Sequence, residues 1–121
     1  MSNKFEAIFY KKPDGTKPAR DFLVGLPTKM RVKVTWTIAL LESNGTDLRE
    51  PYSKHLDDGI FELRAKVGSN ITRVLYFFMI GRRIIITHGF VKKTDKTPPE
   101  EIEKAKQYRF EFLSREENHN E

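Results

Sequence analysis

The chain has 121 residues, of which 38% are hydrophobic and 32% are charged. This length allows one domain with a modest core and is too short for two, and the composition is that of a highly solvated globular protein. The sequence contains no cysteine, which excludes a disulfide framework and a thiolate metal site.

Targeting and membrane signals do not stand out. The N-terminal residues lack the apolar core of a signal peptide, and no apolar run approaches the roughly 20 residues that a membrane-spanning helix needs. We therefore expect a single domain over residues 1–121, in the cytoplasm and without a membrane partner.

Positive charge is concentrated in one segment. The net charge of the chain is +5, yet residues 62–97 contain eight Lys or Arg and two acidic residues, whereas residues 98–121 contain four basic and seven acidic ones. Such a basic segment is the electrostatic signature of a protein that binds a polyanion or an acidic protein. A basic surface without a ligand is the alternative.

The N-terminal half predicts one strand and two helices. Residues 5–10 (FEAIFY) predict a strand that ends at the Pro-Asp-Gly turn of residues 13–15. Residues 19–26 predict a short helix and residues 28–43 a longer one, whereas the polar residues 52–59 predict a loop. The longer helix has an apolar stripe formed by Met30, Val34, Ile38 and Leu41 and widened by Trp36 and Leu40.

The C-terminal half predicts three strands and a helix. The strands cover residues 60–67, 71–80 and 83–90, and the turns between them are so short that the strands must be antiparallel. Thr97 and Glu100 form a T-x-x-E capping box that predicts the start of a helix, with Thr97 as the N-cap and Pro98 at its first position. The apolar face of this helix comprises Ile102, Ala105, Tyr108 and Phe112, and residues 114–121 are expected to fray. The fold class is therefore α+β, with the N-terminal strand and two helices packed on a central antiparallel sheet.

Cations occupy the predicted sheet. The first central strand has polar residues that alternate with apolar ones, which predicts that the polar ones share its solvent-exposed face: Glu62, Arg64 and Lys66. On the next strand Arg73 shares a face with apolar residues, where an unpaired charge costs several kcal/mol. Either Arg73 forms a structural ion pair with Glu62, or it is a fixed guanidinium that binds a phosphate through two hydrogen bonds.

Other candidates lie near the end of the sheet. The hairpin brings Lys92 and Lys93 towards Arg73. His88 suits general acid–base catalysis. Alternation along the strand places it on the same face as Ile84, Ile86 and Phe90, so the alternative is a structural histidine that is packed and hydrogen-bonded. His55 is a looser candidate and His119 lies in the tail; the three histidines lack metal-ligand spacing, and no motif predicts a cofactor.

Two runs carry a resemblance. GIFELRAKVGSNITRVLYFF (residues 59–78) and IIITHGFVKKTDKTPPEEIEKAKQ (residues 84–107) resemble the RelE/ParE toxin superfamily and, within it, the phage-derived HigB-like branch. The landmarks are Glu-Leu-Arg, Arg-x-x-Tyr and His-Gly-Phe-x-Lys-Lys. The N-terminal part is similar in the order of its elements.

The resemblance implies a RelE-like fold and a toxin of a type II toxin–antitoxin system. Such a toxin enters the ribosomal A site and acts as an endoribonuclease on mRNA without a metal or cofactor, through attack of a 2′-OH on the adjacent phosphate. The implied partners are the ribosome, mRNA and a helix-turn-helix antitoxin of the HigA-like type. The same fold hosts gyrase inhibitors in the ParE branch, and an inactive prophage-derived binding protein is the third possibility.

The resemblance also implies roles for single residues. Arg73 matches the phosphate-binding arginine, Arg64 lies where relatives place a catalytic lysine or arginine, and Lys93, or Lys92 by a one-residue slip, matches the basic residue after the last central strand. Some relatives have a tyrosine shortly after that basic residue, whereas this chain has TDKTP at residues 94–98, so Glu62 and His88 are the candidates for proton transfer. The residues expected to bind RNA are Lys66, Lys92, Lys96 and Arg82.

Overall fold

Five strands form one mixed sheet that carries helices on both faces. The computed structural model describes residues 4–91 and 96–119. Its elements in chain order are β1 (Glu6–Phe9), α1 (Pro18–Val24), α2 (Thr28–Asn44), a 3₁₀ turn (Gly45–Asp47), β2 (Ser53–Asp57), β3 (Ile60–Val67), β4 (Asn70–Met79), β5 (Arg83–Val91) and α3 (Pro99–His119).

The strand order is β1-β5-β4-β3-β2, with β1 parallel to β5 and all other neighbours antiparallel. This confirms the α+β class and the three central antiparallel strands. The prediction of a loop over residues 52–59 is wrong, because residues 53–57 form the edge strand β2. Only Ser53 of this strand is buried, so it lacks the apolar alternation by which a strand is recognised in a sequence.

Each face of the sheet has its own apolar core. The helices α1 and α2 cover one face, and α3 covers the other. The predicted stripe of α2 is confirmed at Met30, Val34 and Leu41, which are buried. Trp36 does not belong to that stripe, since it is 49% exposed and its ring packs edge-on against Tyr52 instead.

A bulge in β5 changes which residues share a face. His88 lies opposite Leu75 and Ile86 lies opposite Tyr76, so Thr87 is an extra residue in β5 relative to β4. The Thr87 hydroxyl donates a hydrogen bond across the bulge to the Leu75 carbonyl at 3.2 Å. The prediction that His88 lies on the same face of β5 as Ile84 and Ile86 is therefore wrong. Those isoleucines pack under α1 and α2, whereas His88 contacts α3.

The C-terminal helix differs from its prediction at both ends. It begins at Pro99, one residue later than predicted, and the Thr97 hydroxyl donates to the Glu62 carboxylate. It continues to His119, past the predicted fraying point at residue 114, because its last turns are tied to the rest of the fold. Arg115 donates to the Lys11 carbonyl, and Glu116 pairs with Arg83 at 2.5 Å. In the described ranges, neither α3 nor any other helix is long and apolar enough to cross a membrane.

The outer edge of β1 is covered by α2. The backbone N–H of Phe5 donates to the Glu42 carbonyl at 2.8 Å, and that of Ala7 donates to the Glu42 carboxylate at 2.9 Å. One residue of α2 thus satisfies two N–H groups that point away from β5.

Gly89 lets α1 approach β5 closely. A Cβ atom at this position would lie 2.6 Å from ring atoms of Phe22 and 3.2 Å from the Arg73 carbonyl oxygen. The ring and the strand backbone confine that space from two sides.

We expect Gly89→Ala to lower the free energy of unfolding by about 1–3 kcal/mol, as overpacking does. Gly25→Ala is the matched control, because its Cβ would meet only carbonyl oxygens, at 3.7 Å or more, and should change stability by less than about 0.5 kcal/mol. Urea denaturation of both variants measures the difference, and equal stabilities would contradict the close approach of Phe22.

Candidate functional site

A buried carboxylate organises the centre of the β3–β4 hairpin. Glu62 is 0% exposed and accepts hydrogen bonds from three of the described residues. Arg73 Nη1 lies 3.1 Å from both of its oxygens, Arg64 Nε lies 2.7 Å from Oε2, and the Thr97 hydroxyl donates to Oε1. A carboxylate at this depth needs such partners, because an uncompensated buried charge costs several kcal/mol.

The strand register explains why Glu62 is needed. Arg64 and Arg73 are direct cross-strand partners in the β3–β4 pair. Like charges placed opposite each other on one face destabilise a sheet. Glu62 precedes Arg64 by two residues on the same face, so its carboxylate bonds to both guanidinium groups and offsets their repulsion.

The two arginines differ in exposure. Arg73 has a side chain that is 1% exposed, whereas that of Arg64 is 25% exposed. The ion pair between Arg73 and Glu62, one of the two alternatives from the sequence, is confirmed. Arg64 uses Nε to contact Glu62, and the terminal nitrogens of a guanidinium carry four of its five N–H donors. Arg64 is thus a partly exposed guanidinium whose orientation is set by a buried carboxylate.

Arg64 lies between two clefts. The first cleft, here the Lys54 cleft, has a volume of about 230 Å³ and is lined by Lys54, His55, Leu56, Arg64, Lys96, Thr97 and Ile102. The second, here the Tyr52 cleft, has a volume of about 310 Å³ and is lined by Lys33, Pro51, Tyr52, Arg64, Lys66 and Ile71. Among these described lining residues are five Lys or Arg and no Asp or Glu, so an anion fits both clefts.

The structure brings some of the sequence-predicted residues together. Lys66 and Lys96 line the two clefts beside Arg64. Lys92 and Lys93 lie outside the described residues. Arg82 is far from this group: it lies over the Phe5 ring in the β4–β5 turn, beyond the end of β4, whose last residue is about 20 Å from Arg73 along the strand.

The lining residues that the sequence did not predict include two lysines and a tyrosine. Lys54 belongs to the edge strand that was predicted to be a loop, and Tyr52 directly precedes it. Lys33 lies on α2, at the border of its buried face, and is half-buried. All three precede the basic segment of residues 62–97, and their place in the site depends on how β2 and α2 pack against β3.

His88 lies outside both clefts. It is 5% exposed; its Nε2 atom is 3.1 Å from Glu101 Oε1 and its Nδ1 atom is 3.1 Å from the Thr87 hydroxyl. Burial lowers the pKa of His88 below its ordinary value, although the hydrogen bond to Glu101 opposes that shift. This is the packed, hydrogen-bonded histidine of the structural alternative, and it links β5 to α3. In the described part of the chain, no three His, Asp or Glu residues are grouped so that they could hold a metal ion.

The fold and the sequence together define the class of protein. The five-stranded mixed sheet with three helices is consistent with a RelE-like fold. The family model of the phage-derived Gp49-like proteins (DUF891) matches residues 21–109, and the chain belongs to this family. The family is a RelE/ParE-like toxin family used in toxin–antitoxin systems. No curated protein matches the sequence.

Glu62→Gln tests the buried carboxylate. We expect this variant to lose about 3–5 kcal/mol of unfolding free energy, because Arg73 is then a buried cation beside an uncharged amide. Asp58→Asn is the control: Asp58 pairs with Arg109 at 2.9 Å but is 68% exposed, so the loss should stay below about 1 kcal/mol. Chemical denaturation at pH 7 compares the two, and a small loss in both variants would contradict the assigned role.

The stability of the fold should depend on pH through His88. Because burial holds the pKa of His88 below its unfolded value, the unfolded chain binds more protons as the pH falls through about 6.5. We therefore expect the unfolding free energy to fall as the pH decreases from 7.5 to 5, and this decrease to be smaller in His88→Gln. Denaturation curves across that range measure both slopes, and equal slopes would show that Glu101, Lys104 or other groups cause the dependence.

Proposed function

We propose that the protein is the toxin of a type II toxin–antitoxin system, of the HigB-like branch, and that it cleaves mRNA on the ribosome. Membership of a toxin-like family supports the first part. The observation that carries the second part is Arg64, a partly exposed guanidinium fixed by buried Glu62 at the junction of two basic clefts. A fixed cation stabilises charge that develops on a phosphate.

The proposed reaction is a transesterification. The 2′-OH of the substrate loses its proton and attacks the adjacent phosphorus, the bond from phosphorus to the 5′-oxygen breaks, and a 2′,3′-cyclic phosphate and a 5′-OH are formed. Arg64 binds the non-bridging oxygens, with Lys54 and Lys96 in the same cleft adding positive charge. Lys93 keeps the catalytic role that the resemblance implies for the basic residue after the last central strand, and Lys92 keeps its role in RNA binding.

Arg73 and Glu62 are assigned a positioning role in this proposal. Arg73 is 1% exposed and is held against Glu62, which in turn holds Arg64. Both residues therefore act on the substrate through the orientation of Arg64. Glu62 already accepts hydrogen bonds from the side chains of Arg64, Arg73 and Thr97, so both of its oxygens are engaged in holding other residues.

Proton transfer is assigned to His55, because it lines the same cleft as Arg64. The Gly59 backbone N–H donates to His55 Nε2 at 3.2 Å, which orients the ring in this cleft. The His55 ring accepts the 2′-OH proton as that oxygen attacks the phosphorus, and it returns a proton to the 5′-oxygen as the bond from phosphorus to that oxygen breaks. His88, the other histidine candidate, is buried against Glu101 instead.

The proposed partners follow from the same charge pattern. The ribosome and mRNA are polyanions that match the cationic clefts. The antitoxin, proposed to be a HigA-like helix-turn-helix protein, would inhibit the toxin by placing an acidic segment over Arg64.

Arg64→Ala tests the function. In a bacterium that expresses the toxin from an inducible promoter, 5′-end mapping should show codon-phased mRNA cleavage that requires translation. We expect Arg64→Ala to reduce this cleavage at least about 100-fold, as loss of one donor to a developing oxyanion does. Arg20→Ala, which removes an exposed arginine of α1 that lines neither cleft, should cleave like the wild type.

The result can contradict the proposal in two ways. Full cleavage by a folded Arg64→Ala variant would show that Arg64 is not part of the catalytic site. DNA damage without mRNA cleavage would indicate a gyrase inhibitor of the ParE type, and harmless expression would indicate a binding protein. Thermal unfolding of each variant shows whether it is folded.

A further inference from the structure

The Tyr52 cleft lies beside the part of β3 that extends past β2. The β2–β3 pairing begins with Ser53 opposite Leu63, and the carbonyl of the preceding Tyr52 accepts the Arg64 N–H at 2.8 Å. Past this point β3 continues to Val67, so Lys66 projects where β2 has already ended. A surface is therefore open directly next to Arg64.

Two aromatic rings stand at this surface. Tyr52 is half-buried in the cleft wall, and the Trp36 ring meets it edge-on, with centroids 6.1 Å apart and planes inclined at 66°. Trp36 remains 49% exposed. Lys33, one turn earlier on α2, places Nζ 5.2 Å from the Trp36 ring centroid. Rings that are held by neighbours and still exposed form a stacking platform for planar ligands.

Cations surround the rings. Lys33, Arg64 and Lys66 are the charged groups among the described residues that line this cleft. Its volume of about 310 Å³ is at the lower end of the range of small-ligand pockets, about 300–1,000 Å³. Aromatic faces beside a cationic track are the arrangement by which proteins bind single-stranded nucleic acid without reading its sequence.

We propose that the Tyr52 cleft binds a nucleotide of single-stranded RNA next to the one held at Arg64. Its base stacks on the exposed ring of Trp36, which Tyr52 supports edge-on, and its phosphates contact Lys33 and Lys66. This inference rests on the proposed function, because it assigns a second part of the same substrate. An acidic peptide would satisfy the lysines but would leave the exposed ring faces unused, so RNA fits this surface better.

Trp36 provides a direct probe, since it is the only tryptophan of the chain. We would titrate the purified protein, without ribosomes, with a ten-nucleotide 2′-O-methyl oligoadenylate, which has no 2′-OH and cannot be cleaved. Binding should quench Trp36 emission. Fluorescence anisotropy of a labelled copy of the oligonucleotide gives the Kd and its salt dependence.

The variants separate stacking from charge. We expect Trp36→Ala to raise the Kd at least about fivefold and Trp36→Phe to restore most of the affinity. Lys33→Glu and Lys66→Glu should each raise the Kd about tenfold, and each should lower the slope of log Kd against log salt by about 0.7, the value for one phosphate contact on a single strand. Arg20→Glu makes the same kind of charge reversal on α1, outside the cleft, and should leave both quenching and the salt slope nearly unchanged.

The outcomes distinguish this inference from the proposed function. Oligonucleotide binding without quenching of Trp36 would contradict RNA binding in the Tyr52 cleft, even if cells show mRNA cleavage. The same conclusion would follow if Lys33→Glu and Lys66→Glu had the same Kd and salt slope as Arg20→Glu. Quenching by a glutamate-rich peptide but not by the oligonucleotide would also overturn it and identify a protein-docking surface. If the oligonucleotide quenches Trp36 emission but the protein cleaves no mRNA, RNA binding in the Tyr52 cleft would be supported and the proposed nuclease activity would be contradicted.

Discussion

The shared Glu62 carboxylate is the interaction on which the rest of the site depends. Pairing of β3 with β4 places Arg64 opposite Arg73, and this register is compatible with folding because one buried anion bonds to both cations. The same carboxylate accepts the Thr97 hydroxyl, which fixes the chain just before α3. A single group thus joins two strands and the entry to the C-terminal helix, and it turns Arg64 towards solvent.

The position of the clefts follows from the unequal lengths of neighbouring strands. β2 has five residues and β3 has eight, so part of β3 has no strand beside it on that edge of the described sheet. Side chains from α2 and from the residues before β2 line the space that remains. The cations there come from separate stretches of the chain, and the fold collects them around Arg64.

Much of the fold follows from local patterns. The stripe of α2 and the turns Gly68-Ser69-Asn70 and Gly81-Arg82 gave the correct helix and hairpins, because each is a short-range signal with a clear physical cause. The features that were predicted incorrectly depend on contacts between residues that are distant in sequence. Whether residues 53–57 form a strand depends on β3 being there to pair with them. The hydrogen bond from Thr97 to Glu62 joins residues that are 35 positions apart.

The site was predictable in part for the same reason. Arg64, Lys66 and Lys96 were found because they fall within one basic segment, and Arg73 was correctly recognised as a cation that requires a partner. The bulge at Thr87 could not be anticipated, since nothing in an alternating run marks which residue is the extra one. That one residue moved His88 to the other face and changed it from a candidate catalyst into a link to α3.

The hydrogen bonds between α2 and the edge strand β1 affect how this protein interacts with other proteins. Open sheet edges recruit further strands and lead to aggregation. Glu42 closes one edge by occupying its N–H groups, and the exposed Lys54 and Asp57 place charge along the other. These contacts and charges oppose growth of the sheet by strand addition along β1 and β2. Recognition is left to side chains, and a small protein rich in β-structure can stay dispersed while it presents a cationic surface to a partner.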